Sequence, residues 1–161
     1  MDERPIQTEP LVKLTSRLQG EGKKIVFTSG CFDILHAGHV RYLEEAKGCG
    51  DFLVVGLNSD VSVKMVKGAH RPLNNEQDRA EVLRALRAVD AVVIYSETDG
   101  CRLMAELRPD VYVKGGDYSQ ESFAALEEVR LMEQMGGTSK LLGVLPHRST
   151  SGLIEKIKQT P

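Results

Sequence analysis

Apolar residues gather in short runs along the chain, with amphipathic stretches between them. Lys24-Ile25-Val26-Phe27-Thr28 is rich in β-branched residues and predicts a buried strand. Comparable runs return at Phe52-Leu53-Val54-Val55-Gly56-Leu57, Ala91-Val92-Val93-Ile94-Tyr95, Val111-Tyr112-Val113 and Lys140-Leu141-Leu142-Gly143-Val144-Leu145. Between the runs the apolar positions fall at helical intervals. Val40, Leu43 and Ala46 share a face in residues 39–47, as do Ala80, Leu83 and Leu86 or Arg87 in 76–88. Residues 99–107 and 121–135 are good helix formers, and 150–158 carry Leu153, Ile154 and Ile157. Leu11, Leu14 and Leu18 predict one more helix over residues 10–20, ended by Gly20 and Gly22.

Strands alternating with helices through short joints imply parallel βαβ units. The expected fold is α/β: a Rossmann-like, doubly wound, five-stranded parallel sheet with helices on both faces. Both faces of such a sheet are covered, which accounts for the nearly all-apolar strands. The 161 residues suit one domain with a core of its own, set at 23–161, behind an N-terminal arm and short helix over 1–22. The 21 basic and 23 acidic side chains exclude a generally basic nucleic-acid coat. Aromatics make up only 5%, too few for the interleaved basic and aromatic face of an RNA binder. No stretch approaches the ~18 consecutive apolar residues of a membrane span. Met1-Asp2-Glu3-Arg4-Pro5 has no apolar core for a signal peptide, and Cys31, Cys49 and Cys101 are too scattered for a disulfide framework. The expectation is a cytoplasmic protein with free thiols and neither membrane nor nucleic-acid partners.

Ligands of doubly wound sheets bind outside the carboxyl ends of the strands, so chemistry is sought in the joints that follow them. The first joint reads Thr28-Ser29-Gly30-Cys31-Phe32-Asp33-Ile34-Leu35-His36-Ala37-Gly38-His39. It is neither the GxGxxG dinucleotide fingerprint nor a GxxxxGK[ST] P-loop. Two histidines flank Ala-Gly where a helix starts. Free N–H groups and a partial positive charge there suit a phosphate, and Gly38 lets backbone approach it closely. Imidazoles can donate to phosphate oxygens as negative charge develops in a transition state. A zinc site would have to combine Cys31, His36, His39 and Cys49, whose spacings match no common finger.

The later joints add charge and tight turns. Lys64, Lys67 and Arg71 concentrate positive charge after the second strand, at the sheet edge that also carries His36. Arg79 can pair with Glu76 or Asp78, or reach an acceptor phosphate. Lys114-Gly115-Gly116-Asp117-Tyr118 follows the fourth strand and permits close approach of a nucleotide. His147-Arg148-Ser149-Thr150-Ser151-Gly152 follows the fifth, where the hydroxyls can cap the last helix and hold phosphate together.

The stretch GCFDILHAGHVRYLEEA resembles the HxGH signature of the cytidylyl- and adenylyltransferase superfamily. With Leu57-Asn58-Ser59-Asp60, Arg71-Pro72-Leu73-Asn74, Val113 to Tyr118 and the RSTS run, it most resembles the heptose 1-phosphate adenylyltransferases of lipopolysaccharide-core synthesis. The similarity runs from Lys23 to Ile157. It implies attack of a sugar 1-phosphate on the α-phosphorus of ATP, with pyrophosphate leaving. His36, His39 and Lys64 would be catalytic. Ser29, Gly30, Phe32, Asp33, Gly38, Lys114, Gly115, Asp117, Arg148, Ser149 and Thr150 would join the two histidines around the nucleotide. Asp60, Lys67, Arg71 and Arg79 would face the acceptor. Members commonly carry Asn where Ser29 stands and Thr where Ser151 stands. Mg²⁺ would arrive on the nucleotide, with no protein-only metal cage. Many relatives are fused to a sugar kinase, for which this chain has no room, so the resemblance implies a stand-alone transferase. Relatives are often homodimers. Two alternatives stay open: a CTP-dependent transferase acting on glycerol 3-phosphate or another alcohol phosphate, and a regulatory module that binds nucleotide without turnover.

Overall fold

The computed structural model describes residues 6–116, 118–143 and 149–160. Its strands β1 (Ile25–Gly30), β2 (Phe52–Asn58), β3 (Ala91–Tyr95), β4 (Val111–Gly115) and β5 (Thr138–Leu142) form one parallel sheet in the order β3-β2-β1-β4-β5. The winding direction reverses between β1 and β4. These two strands are in register only at Val26↔Val111 and Phe27↔Tyr112, whereas β1 and β2 pair from Ile25↔Phe52 to Gly30↔Leu57.

Successive strand residues point to opposite faces and feed two cores. Val26, Leu53, Val55, Leu57, Val92 and Val113 pack against Leu43 and Ala46 of α2 (Ala37–Lys47) and Ala80 and Leu83 of α4 (Glu76–Arg84). Ile25, Phe27, Val54, Val93 and Tyr112 pack on the other face. There they meet Leu11 of α1 (Thr8–Gly20), Leu103, Met104 and Leu107 of α5 (Cys101–Leu107), and Val129 and Met132 of α7 (Glu127–Gln134). The parallel, two-faced α/β sheet expected from the apolar runs is therefore present. α1 is fastened as well as packed, since Gln19 Nε2 donates to Arg108 O at 2.9 Å and to Asp110 Oδ2 at 3.1 Å. Among the described residues no helix is long and apolar enough to cross a membrane.

Three elements differ from the sequence expectation. The basic stretch after β2 holds a helix, α3 (Asp60–Lys67), capped by Ser59 Oγ on Ser62 N. Val63 is its one buried apolar side chain, while Val61, Met65 and Val66 stay exposed, so no apolar periodicity announced it. The helix expected over 121–135 is two, α6 (Gln120–Ala124) and α7, because Leu126 between them is extended (φ −65°, ψ 137°). β5 starts at Thr138 and ends at Leu142, shifted toward polar residues because it is an edge strand with half its positions outward. Val144 and Leu145 lie outside the described residues.

Candidate active site

A cleft of about 620 Å³ opens at the carboxyl ends of β1 and β4, where the winding reverses. A larger groove, about 910 Å³, runs beside β3 between Ile6, Leu14 and Gln77, away from the glycine and histidine joints.

The β1 joint forms the wall that carries the histidines. His36 is the N-cap of α2, and its Nδ1 accepts from Gly38 N at 3.1 Å. In the neutral ring that bond leaves the proton on Nε2, as a donor. The His39 ring lies 4.0 Å from the His36 ring, centroid to centroid, and 5.5 Å from Phe32. Phe32 has a left-handed backbone (φ 45°) that turns its ring into the first core beneath His39. Glycine is needed at position 30, because a Cβ there would stand 2.9 Å from the Phe32 ring. His39 Nδ1 is buried without a hydrogen-bond partner among the described residues. Burial, with His36 adding to it, brings the His39 pKa down from 6.5 to about 4, so the ring is neutral at pH 7.

That shift gives a pH dependence of stability. The unfolded chain takes up this proton near pH 6.5 and the folded chain only near 4, so folding loses stability progressively as pH falls between them. Urea unfolding of the protein and of His39→Gln should show a smaller decline in the variant across this interval. Parallel declines would remove the assignment.

Asp33 lines the cleft, yet its side chain is only 1% exposed and its carboxylate is engaged. Arg71 Nε donates to it at 2.7 Å, and the N–H groups of Leu73 and Asn74 at 2.9 Å. Burial alone would raise its pKa; the N–H groups of Asn74 and Leu73 and the Arg71 guanidinium outweigh it and hold the carboxyl below its ordinary range. Asp33 thus ties the basic stretch to the β1 joint and orients Arg71 along the cleft wall. Arg79 has no exposed side-chain surface. It donates to Asn74 O (3.0 Å), Cys31 O (2.6 Å) and Asp60 Oδ1 (2.8 Å). The structure thus places Arg79 and Asp60 on each other, behind the joint, rather than on the cleft wall or on Glu76 and Asp78. Lys64 is exposed on α3 and is not among the residues that line the cleft, whereas Lys67 and Arg71 are.

Lys114 Nζ reaches back to Ser29 O and Oγ, both at 3.3 Å. Burial lowers its pKa, and the carboxylate of Glu128 partly offsets that. Cations converge here: Lys67, Arg79, Lys114 and Arg71 all act on the Cys31 thiol, whose pKa burial nevertheless raises. Gly115 must be glycine because a Cβ would come within 2.6 Å of the Tyr42 ring. Tyr42 OH is itself held at the β1–β4 opening by Thr28 Oγ1 (2.5 Å) and Val113 O (3.1 Å). Across the cleft α8 (Thr150–Lys158) begins at Ser149, whose Oγ accepts from Gly152 N at 3.0 Å. Thr150 Oγ1 donates to Ile34 O at 3.1 Å, fixing α8 to the joint that carries His36. Ser29, Gly30 and Gly38 line the same cleft. Asp117 and Arg148 lie outside the described residues.

The cleft therefore has two helix N-termini, two histidine rings and three cations on its walls, a surface built for several phosphate groups. Among the described residues no three His, Cys, Asp or Glu side chains converge as a metal site, and Cys49 sits with Glu45 O and Lys140 instead. Tyr95, Tyr118, Asn58 and Glu128 also line the cleft and were not singled out from sequence. Asn58 and Tyr95 end strands at the same sheet edge, so the strand-end rule reaches them; Glu128 lies within a helix and carried no signal.

A family model described as Cytidylyltransferase-like matches residues 27–153, from β1 to the first turns of α8. The chain belongs to this cytidylyltransferase-like family. Membership bears out the resemblance drawn from the HxGH stretch, the fold and the nucleotidyltransferase class of enzyme. Among cytidylyltransferase-like relatives, the bifunctional protein HldE of Wolinella succinogenes is 47% identical over 156 residues, covering 97% of this chain and 31% of that protein. HldE of Geobacter metallireducens is 50% identical over 139 residues, covering 86% of this chain and 28% of that protein. The chain thus spans about a third of the length of these curated relatives. A solved lipopolysaccharide core biosynthesis protein of Thermoplasma volcanium superposes with a TM-score of 0.61 at 31% identity, over 79% of this chain and 100% of that one.

Proposed function

We propose that the protein joins ATP to D-glycero-D-manno-heptose 1-phosphate, giving ADP-heptose and pyrophosphate. The observation that carries this reading is the pair of histidine rings at the start of α2, 4.0 Å apart, in a cleft also walled by Ser149 and Thr150 at the start of α8. The similarity to HldE proteins over nearly all of the chain supports the sugar phosphate as acceptor.

In the reaction an oxygen of the sugar phosphate forms a bond to the α-phosphorus. The bond from that phosphorus to the bridging oxygen breaks, and pyrophosphate leaves with the electron pair. The nucleophile is already ionised, so no general base is assigned. His36 Nε2–H and His39 would stabilise the charge that builds on the α-phosphate oxygens. Ser149, Thr150 and the N–H groups of α8 would hold the β- and γ-phosphates, and Lys67 and Arg71 the incoming phosphate. Asp117 and Arg148 belong to the same nucleotide set by resemblance. Mg²⁺ would arrive as a companion of the triphosphate, because Asp33, the acidic side chain of the β1 joint, is engaged by Arg71 and backbone. It would neutralise charge on the leaving group. A cytoplasmic homodimer completes the reading; the three free cysteines support a reducing compartment, and mass in solution tests the dimer.

The test is pyrophosphate release with Mg²⁺, crossing ATP, CTP and GTP with heptose 1-phosphate and glycerol 3-phosphate. Release with ATP and heptose 1-phosphate is expected. The family's description favours CTP as the nucleotide of a second reading, in which the acceptor is an alcohol phosphate; release with CTP and glycerol 3-phosphate would establish it. Nucleotide binding without release in any combination would leave a regulatory module.

A further inference from the structure

The part of the cleft lined by α7 has a different chemistry from the histidine joint. Glu128 of α7 is buried there, 6% exposed. Gly100 N donates to its Oε1 at 3.3 Å. Its second oxygen has no hydrogen-bond partner among the described residues and is not sealed off, so it opens to the cleft. Lys114, Tyr95 and Tyr118 line the cleft with it. Burial raises the pKa of both phenols and lowers that of the lysine; the charge of Glu128 acts on all three, adding to the first and offsetting the second.

A carboxylate this buried with one of its two oxygens unused is costly unless something donates to it. Phosphate cannot, being anionic and rich only in acceptors. Nothing in the transfer mechanism uses Glu128. A ligand presenting several hydroxyl groups meets the requirement, since a carboxylate oxygen accepts two O–H bonds and the ring faces of Tyr95 and Tyr118 offer apolar surface. Lys114, tied to Ser29, lines the same cleft as Glu128 and would meet the phosphate of such a ligand.

We propose that Glu128 is the group that recognises the polyhydroxylated sugar of the acceptor, by accepting hydrogen bonds from its hydroxyl groups. This rests on the sugar 1-phosphate reading above and deepens it. Sites that hydrogen-bond a substrate hydroxyl discriminate strongly, because losing the bond leaves a buried group unpaired.

The experiment uses the full chain with Glu128→Gln and Glu128→Asp. Gln keeps the volume and an acceptor for Gly100 N; Asp keeps the charge but draws it back by one methylene. Steady-state kinetics with heptose 1-phosphate are paired with calorimetric binding of a non-hydrolysable ATP analogue, after thermal melts confirm folding. The KM for heptose 1-phosphate should rise at least about tenfold in E128Q and in E128D, with analogue affinity within about twofold of the unsubstituted protein. An unchanged KM in either folded variant overturns the assignment while leaving the function intact, as does a parallel loss of analogue affinity. If the unsubstituted protein does not turn over heptose 1-phosphate, the function reading itself fails, and the role of Glu128 falls with it.

Discussion

His36→Ala and His39→Ala are each expected to lose at least about a hundredfold of kcat while remaining folded, the loss typical of removing one preorganised donor from a developing negative charge. The two rings lie side by side, and His39 is neutral at pH 7, so it does not act as a fixed cation. His36 has a second duty, because its Nδ1 caps α2. Alanine there also removes a cap, worth roughly 1 kcal/mol. His36→Asn separates the two roles: an asparagine oxygen caps Gly38 N, but no ring donor faces the phosphate. It should recover most of the stability lost in His36→Ala and none of the turnover. Near-normal kcat in any of these folded variants would remove the histidines from the mechanism.

Arg79→Ala should be the most destabilising single change around the site. The guanidinium joins Cys31 O, Asn74 O and Asp60 Oδ1, three acceptors on three segments. Removing one partner of a buried ion pair typically costs about 3–5 kcal/mol; Asp60 can rehydrate in part, being 32% exposed, so a loss of about 2–4 kcal/mol is expected in urea unfolding. Arg79→Lys should recover little of it, because one ammonium cannot span the planar fork that meets all three. Because Cys31 belongs to the β1 joint, kcat/KM should fall as well. Unchanged stability in Arg79→Ala would show that the fork is dispensable.

Strands β1 to β4 were legible because each is an apolar run set in the sheet, whereas the edge strand β5 begins on polar residues and was only partly so; the position of the histidines followed from the helix that Val40, Leu43 and Ala46 mark out. The roles of the charged residues were not. Asp33, Asp60, Arg71 and Arg79 look alike in sequence as polar residues near a binding loop. What separates them is pairing across the fold: Arg71 reaches Asp33 over 38 residues and Arg79 reaches Cys31 over 48. Such distances carry no local periodicity. α3 was hidden for the opposite reason, since it leaves Val61, Met65 and Val66 outside and so breaks the link between apolarity and burial. Glu128 was hidden because a glutamate in a helix is ordinarily solvated, and only packing against the sheet makes this one otherwise.

The two register pairs between β1 and β4 have a mechanical meaning. Past Phe27 and Tyr112 the strands part, and the sheet becomes two leaves, β3-β2-β1 and β4-β5, joined by a short seam. Main-chain groups that a longer ladder would consume are instead turned into the opening, where Tyr42 bridges to Val113 O and Lys114 to Ser29 O. The residues assigned to substrate stand on both leaves, the histidines on one and Lys114 on the other. On the proposed function, a bound substrate would act as a rivet across the seam, adding its binding free energy to the joint between the leaves.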